Sequence, residues 1–174
     1  YPMSIKIGSV LPDFQAQAYF PNGEIKTLKL SDYKGKWVVV FFYPLDFTFV
    51  CPTEIQGFHK QNGAFQHANA QVIAVSTDSV YSHKAWVANG LGKVDFPIIG
   101  DTSHEISRLF GVLIEEKGIS LRGTFLINPE GKVVSSHVNE LSVGRSVDET
   151  LRTLGAFQTG GLTPCEWKPG QKTL

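Results

Sequence analysis

The sequence predicts an α/β domain with a central mixed sheet flanked by helices, an N-terminal hairpin and an extended C-terminal tail. Three observations lead there. WVVVFFYP (Trp37–Pro44) is continuously apolar and rich in β-branched and aromatic residues, as a strand buried on both faces should be. Strand-like and helix-like segments alternate after it, the pattern of a sheet with helices on its faces. The last third switches to a hairpin and a closing helix. At 174 residues the chain is one domain of ordinary size, able to bury a sizeable core without disulfides or a structural metal.

In order along the chain, Phe14 to Phe20 leads to Asn22-Gly23, a strong hairpin signal, and returns through Glu24 to Leu30. The central strand follows at residues 37–44. From Cys51 the spacing becomes helical, with Ile55, Phe58 and Phe65 able to share one face. Gln71–Thr77 is the next strand, residues 79–88 the next helix, and Phe96–Asp101 a third strand. Ser103 is placed to cap a short helix that ends before Gly111. Leu121–Asn128 and Lys132–Val138 flank the turn Pro129-Glu130-Gly131. Ser146-Val147-Asp148-Glu149 has the form of a capping box opening the last helix. Beyond Phe157 three glycines and two prolines occur without period, so residues 158–174 read as a tail on a domain spanning 1–157. This order of elements is thioredoxin-like.

Composition removes several classes of function. Apolar residues make up 42% and charged residues 18%, as in a soluble globular protein. Lys plus Arg and Asp plus Glu both total 16, which leaves no electrostatic footprint for nucleic acid or an anionic membrane. Residues 37–43 are the longest apolar run, far short of the roughly 20 residues that cross a bilayer. Tyr1-Pro2 reads as an appended remnant before a natural start at Met3, without the layout of a secretory signal, so the expected location is cytoplasmic. The five histidines lack metal-ligand spacing and read as solvated or capping side chains. Phe47 and Phe49 read as substrate contacts or as apolar walls that keep water out.

The chain has only two cysteines, 114 residues apart, which makes neither a disulfide framework nor a CxxC knuckle. Cys51 lies in PLDFTFVCPTE (44–54), where a strand stops at Pro44 and a helix begins. That position gathers unpaired backbone N–H groups and the positive end of a helix dipole. A free thiol titrates near ~8.5, and such surroundings with an Arg close by can lower that to roughly 3.5–7.5. Cys51 is therefore a candidate nucleophile.

Its electrophile is narrowed by what the flanking residues lack. Glu54 stands where a dithiol motif would place its second cysteine. Pro52–Gly57 contains no Arg and one glycine, too few for a phosphate-cradling loop. His59 lies two turns along the same helix, an awkward place for the base of a cysteine protease. A peroxide fits better, because a thiolate attacking one oxygen needs donors that hold the departing oxygen rather than a general base. Thr48 can offer a hydroxyl from the same turn. Of the four arginines, Arg122 opens an apolar strand, an unusual place for a charge, and Arg145 sits just before the Ser146 cap.

FFYPLDFTFVCPTE, VSTDS, SHKAW, LRGTFLINPEGKV and GRSVDETLR resemble the peroxiredoxins, most closely the typical two-cysteine branch that includes the peroxidase component of bacterial alkyl hydroperoxide reductase. The likeness runs from about Ile7 to Phe157. It implies a thioredoxin-like fold, Cys51 as the peroxidatic cysteine, Pro44 as its shield, Thr48 bonding the peroxide and Arg122 stabilising thiolate and transition state. Glu54 and Arg145 match the pair that holds the active-site arginine. Cys165 is the implied resolving thiol, acting on a partner subunit, although aligned on Trp167 the usual cysteine position holds Thr163. The resemblance also implies a homodimer able to close into a decamer, and thioredoxin or a flavoprotein disulfide reductase as reductant. It requires no metal, flavin or haem. Two alternatives stay open: a one-cysteine peroxidase resolved by an external thiol, and a holdase chaperone or redox-sensing scaffold ring.

Overall fold

The computed structural model describes residues 5–174, so the Tyr1-Pro2-Met3 start lies outside the described residues. A hairpin of β1 (Gln15–Tyr19) and β2 (Ile25–Lys29) precedes β3 (Trp37–Phe42). Helices α1 (Cys51–Lys60) and α2 (Asn62–His67) lead to β4 (Ala70–Ser76). Then follow α3 (Val80–Trp86), β5 (Ile98–Gly100), α4 (Glu105–Leu109) and a two-strand ribbon of β6 (Leu113–Ile114) with β7 (Ile119–Ser120). β8 (Arg122–Ile127), β9 (Val133–Asn139) and α5 (Val147–Gln158) complete the order.

Seven strands form one mixed sheet in the order β2-β1-β5-β4-β3-β8-β9. β3, β4 and β5 run parallel, and the remaining pairings are antiparallel. In β3 the two-residue period of a strand sends Val38, Val40 and Phe42 into one hydrophobic layer and Val39 and Phe41 into the other. The second layer continues with Tyr43, Cys51, Ile55 and Phe58, where Phe41 stacks on Phe58 with ring centroids 4.1 Å apart. The sheet's edges differ. β2 carries Lys26 and Lys29, charges of the kind that discourage further pairing, whereas His137 is the only titratable residue of β9.

Several local expectations are refined. The helix after Cys51 breaks at Gln61 (φ −95°, ψ 4°), just before the weak helix formers Asn62 and Gly63, and Phe58 and Phe65 still meet at 5.8 Å. Ser103 Oγ accepts from the Glu105 N–H of α4 at 3.4 Å, and Asp101 shares the capping: its carboxylate accepts from the backbone N–H groups of Ile106 (3.1 Å) and Ser107 (2.7 Å). In the Ser146 motif only half of the box forms. Ser146 Oγ accepts from the Glu149 N–H at 3.2 Å, while the Glu149 carboxylate turns to Arg152, whose hydrogen bonds hold the Glu149 carboxyl below its ordinary pKa. The β6–β7 ribbon had no sequence signal, being two residues a side.

Residues 159–174 contain no helix or strand, yet they are tied down. Trp167 is buried against Gly155 of α5, its carbonyl accepts from Arg152 Nη1 at 2.9 Å, and Leu174 N–H reaches the Leu162 carbonyl at 2.8 Å. Elsewhere in the sheet, β5 ends so close to the start of α3 that a Cβ on Gly100 would lie 2.8 Å from the Val80 backbone nitrogen. Backbone cannot yield there as a side chain would. Gly100→Ala is expected to destabilise the fold by about 1–3 kcal/mol, read in thermal denaturation as a loss of several degrees in Tm; an unchanged Tm would refute the close packing.

Candidate active site

Cys51 is the first residue of α1, with Val50 as N-cap and Pro52 next. Pro is suited to the first turn, where a backbone N–H would have no partner within the helix. The thiol is 0% exposed. Burial would argue for an inert packing cysteine were it not for its neighbour: Arg122 Nη1 stands 3.3 Å from Sγ, aimed as a donor.

That guanidinium is fixed by two further bonds. Its Nε donates to the Leu141 carbonyl at 2.8 Å, and Nη1 also donates to Glu54 Oε1 at 2.7 Å. Glu54, one turn after Cys51 on the same helix, is shared with a second guanidinium. Arg145 reaches Glu54 Oε2 through Nε (2.6 Å) and its backbone N–H (2.9 Å), and Oε1 through Nη2 (3.2 Å). Its other donors go to the Gly123 carbonyl (2.8 Å), Thr124 Oγ1 (3.1 Å) and the Phe42 carbonyl at the end of β3. Arg145 also lies over the Phe41 ring, 5.3 Å from its centroid. The side chains of Glu54, Arg122 and Arg145 are all nearly inaccessible to water.

The electrostatics follow from this packing. Burial is the largest influence on Arg122 and lowers its pKa, but Cys51 and Glu54 outweigh it and the value lies above the ordinary one. For Arg145 burial prevails over the pull of Glu54 and the pKa is lowered. One carboxylate between two guanidinium groups leaves the buried set one positive charge in excess. The group in contact with that excess is the Cys51 sulfur.

The other sequence-derived candidates fall in two places. Pro44 is buried at the end of β3, on the loop that leads to Cys51. Thr48 is on the same loop, and its hydroxyl donates to the Leu45 carbonyl at 2.9 Å, which leaves its oxygen lone pairs to accept. Cys165 is exposed on the tail and stands apart, as a free thiol lining a groove with Arg152, Phe157 and Leu162. Phe47 and Phe49 are 56% and 95% exposed, so neither is a wall around the thiol within this chain.

Sequence reasoning missed the polar cluster behind the loop. His83, expected to be solvated or capping, is fully buried, with Nδ1 2.7 Å from Asp46 Oδ2 and Nε2 3.0 Å from the Ile99 carbonyl. Tyr43 and Ser82 also donate to Asp46, at 2.6 and 2.8 Å. The Tyr43 hydroxyl is held well above its ordinary pKa by burial and by Asp46. No short motif marks this cluster, because its members come from three separate elements.

The AhpC/TSA family profile matches residues 7–136. The chain belongs to the peroxiredoxins of the AhpC/TSA family. It is 51% identical to the chloroplastic 2-Cys peroxiredoxin BAS1 of Spinacia oleracea, covering 97% of this chain and 67% of that one. It is 50% identical to peroxiredoxin tpx1 of Schizosaccharomyces pombe, over 99% of this chain and 94% of its relative. Among solved structures, the reduced 2-Cys peroxiredoxin of Plasmodium vivax superposes with a TM-score of 0.92 at 37% identity, covering 95% of this chain and 91% of the other. The sheet and its helices thus form the thioredoxin-like fold of that family, and the chain is an enzyme of the thiol peroxidase class.

Glu54 is the member of the charged set whose loss is most costly, since it would leave two buried guanidinium groups uncompensated. Glu54→Ala is expected to lower stability by about 3–5 kcal/mol, measured by chemical denaturation. A change below about 1 kcal/mol, the range of an exposed pair, would show that the buried set does not hold the fold.

Proposed function

We propose that this peroxiredoxin reduces hydrogen peroxide and organic hydroperoxides through Cys51, and that the contact between Arg122 and Cys51 carries the reading. A thiolate at Cys51 is the nucleophile, and the Arg122 donor 3.3 Å from its sulfur brings it the excess positive charge of the set formed by Glu54, Arg122 and Arg145. The thiolate attacks the terminal oxygen of the hydroperoxide. A sulfur–oxygen bond forms, the O–O bond breaks, and the departing oxygen leaves as hydroxide or alkoxide and takes up a proton. Arg122 offers donors where that negative charge is redistributed, Thr48 accepts from the peroxide O–H, and Pro44 keeps bulk water from the sulfur.

The resulting sulfenic acid condenses with the Cys165 thiol of a partner subunit, releasing water and forming a disulfide, which a dithiol such as thioredoxin or a flavoprotein disulfide reductase returns to two thiols. Cys51 is buried and Cys165 is anchored through Trp167, so joining them requires the first turn of α1 to open and the tail to leave α5. Two surfaces suit further copies of the chain in a homodimer and a decamer. The edge of β9 is free of Lys, Asp and Glu, and Leu45, Phe47 and Phe49 expose apolar side chains on the loop before α1. Free thiols of this kind suit the reducing cytoplasm.

Two substitutions test the cycle. Cys51→Ser is expected to abolish peroxide consumption with a thiol reductant, while a holdase role would survive it; continued turnover would refute the mechanism. Cys165→Ser is expected to consume one equivalent of peroxide and then stall with a thioredoxin-type donor. Full cycling of that variant would instead assign resolution to an external thiol. Non-reducing mass spectrometry after one equivalent of peroxide is expected to show residues 51 and 165 linked between chains.

A further inference from the structure

We propose that Asp46 is a positioning residue for the attack on peroxide: held by His83, Tyr43 and Ser82, it fixes the β3–α1 loop so that Pro44 and Thr48 face Cys51. This rests on the peroxidase reading above and adds to it a group that touches neither sulfur nor substrate.

Asp46 lies two residues after Pro44 and two before Thr48, and it is the only buried polar residue between them. Its carboxylate accepts from the Tyr43 hydroxyl (2.6 Å) and Ser82 Oγ (2.8 Å), and its backbone N–H donates to Asp78 Oδ2 (2.8 Å). Opposite Oδ2, at 2.7 Å, stands His83 Nδ1. The other ring nitrogen of His83 is 3.0 Å from the Ile99 carbonyl, which can only accept, so Nε2 carries hydrogen. The Nδ1–Oδ2 contact thus ties the loop to α3 through a short, fully buried polar bond.

The backbone beside Asp46 calls for such an anchor. Phe47 adopts φ 58°, in the left-handed region that a bulky residue rarely occupies and keeps only when its surroundings over-determine it. Phe47 packs on Trp86 of α3, with centroids 5.8 Å apart, so side chains of α3 hold the loop at two successive residues. None of these bonds involves Glu54, Arg122 or Arg145. The charge around the sulfur and the placement of the loop are maintained by separate sets of residues, and can be perturbed separately.

That separation supplies the test, made in a Cys165→Ser background so that oxidation stops at the sulfenic acid. Two rates are measured on Cys51: oxidation by hydrogen peroxide, trapped with dimedone and read by mass spectrometry, and alkylation by iodoacetamide at the same pH. Alkylation reports the thiol and its exposure, whereas oxidation also requires the loop. In Asp46→Asn and His83→Gln, oxidation is expected to slow by about 100-fold while alkylation stays within about twofold. Tyr43→Phe and Ser82→Ala, which remove one neutral donor each, are expected to show the same split at a few-fold and keep the test open should the stronger variants fail to fold. Equal changes in both rates, faster alkylation from an opened site, or no change in either would overturn the proposal. Failure of the parent protein to oxidise at Cys51 would instead overturn the peroxidase reading.

Discussion

The Glu54 carboxylate, shared between two guanidinium groups out of reach of water, is the interaction on which the rest of the structure depends. Oε1 accepts from both arginines and Oε2 from Arg145 alone, and the two guanidinium groups reach in turn to β3, β8 and the segment around Leu141. A buried ion pair is weak support for stability in general, because desolvation offsets most of its Coulomb attraction. Here its consequence lies elsewhere. Two cations against one anion leave an imbalance, and the arrangement hands it to a sulfur atom.

Position matters as much as charge. The alternation of β3 between two layers brings the strand's end to the side of the sheet where α1 starts, so Cys51 shares a layer with Phe41, Tyr43 and Phe58. The backbone between strand and helix has no ladder of its own to rigidify it. Its order derives from outside, through the polar cluster under Asp46, while the salt-bridged cluster under Glu54 holds the first turn of α1. A helix amino end alone would not distinguish this cysteine from a buried packing residue, since Pro52 removes one of the donors that such an end provides.

Much of the architecture was legible because it follows from local rules. The apolar run at 37–43, the Asn22-Gly23 turn and the Ser146 cap each specify their element through a few neighbouring residues. Arg122 was legible as a candidate because a charge at the start of an apolar strand is conspicuous, and Arg145 because it stands just before the Ser146 cap; Glu54 entered through the resemblance, which gave all three their roles. What escaped notice depends on contacts distant in sequence. His83 carries no sign of burial in its neighbours, and its partner Asp46 lies in a stretch whose aromatic and proline residues draw more attention. The break at Gln61 and the use of Asp101 as a cap turn on which of several competent residues wins in three dimensions. The tail shows the same limit: its composition says only that it cannot be regular, while the burial of Trp167 against Gly155 is a property of α5.

The bond from Arg145 to the Phe42 carbonyl joins residues 103 positions apart, and its contacts with Glu54 span 91. Contacts of such range are among the last that a chain can close. On the peroxidase reading, a chain still emerging from the ribosome has its Cys51 long before it has the cation that completes the charge around it. Chemical competence is thereby reserved for the finished fold, and a half-made enzyme is spared oxidation by its own substrate.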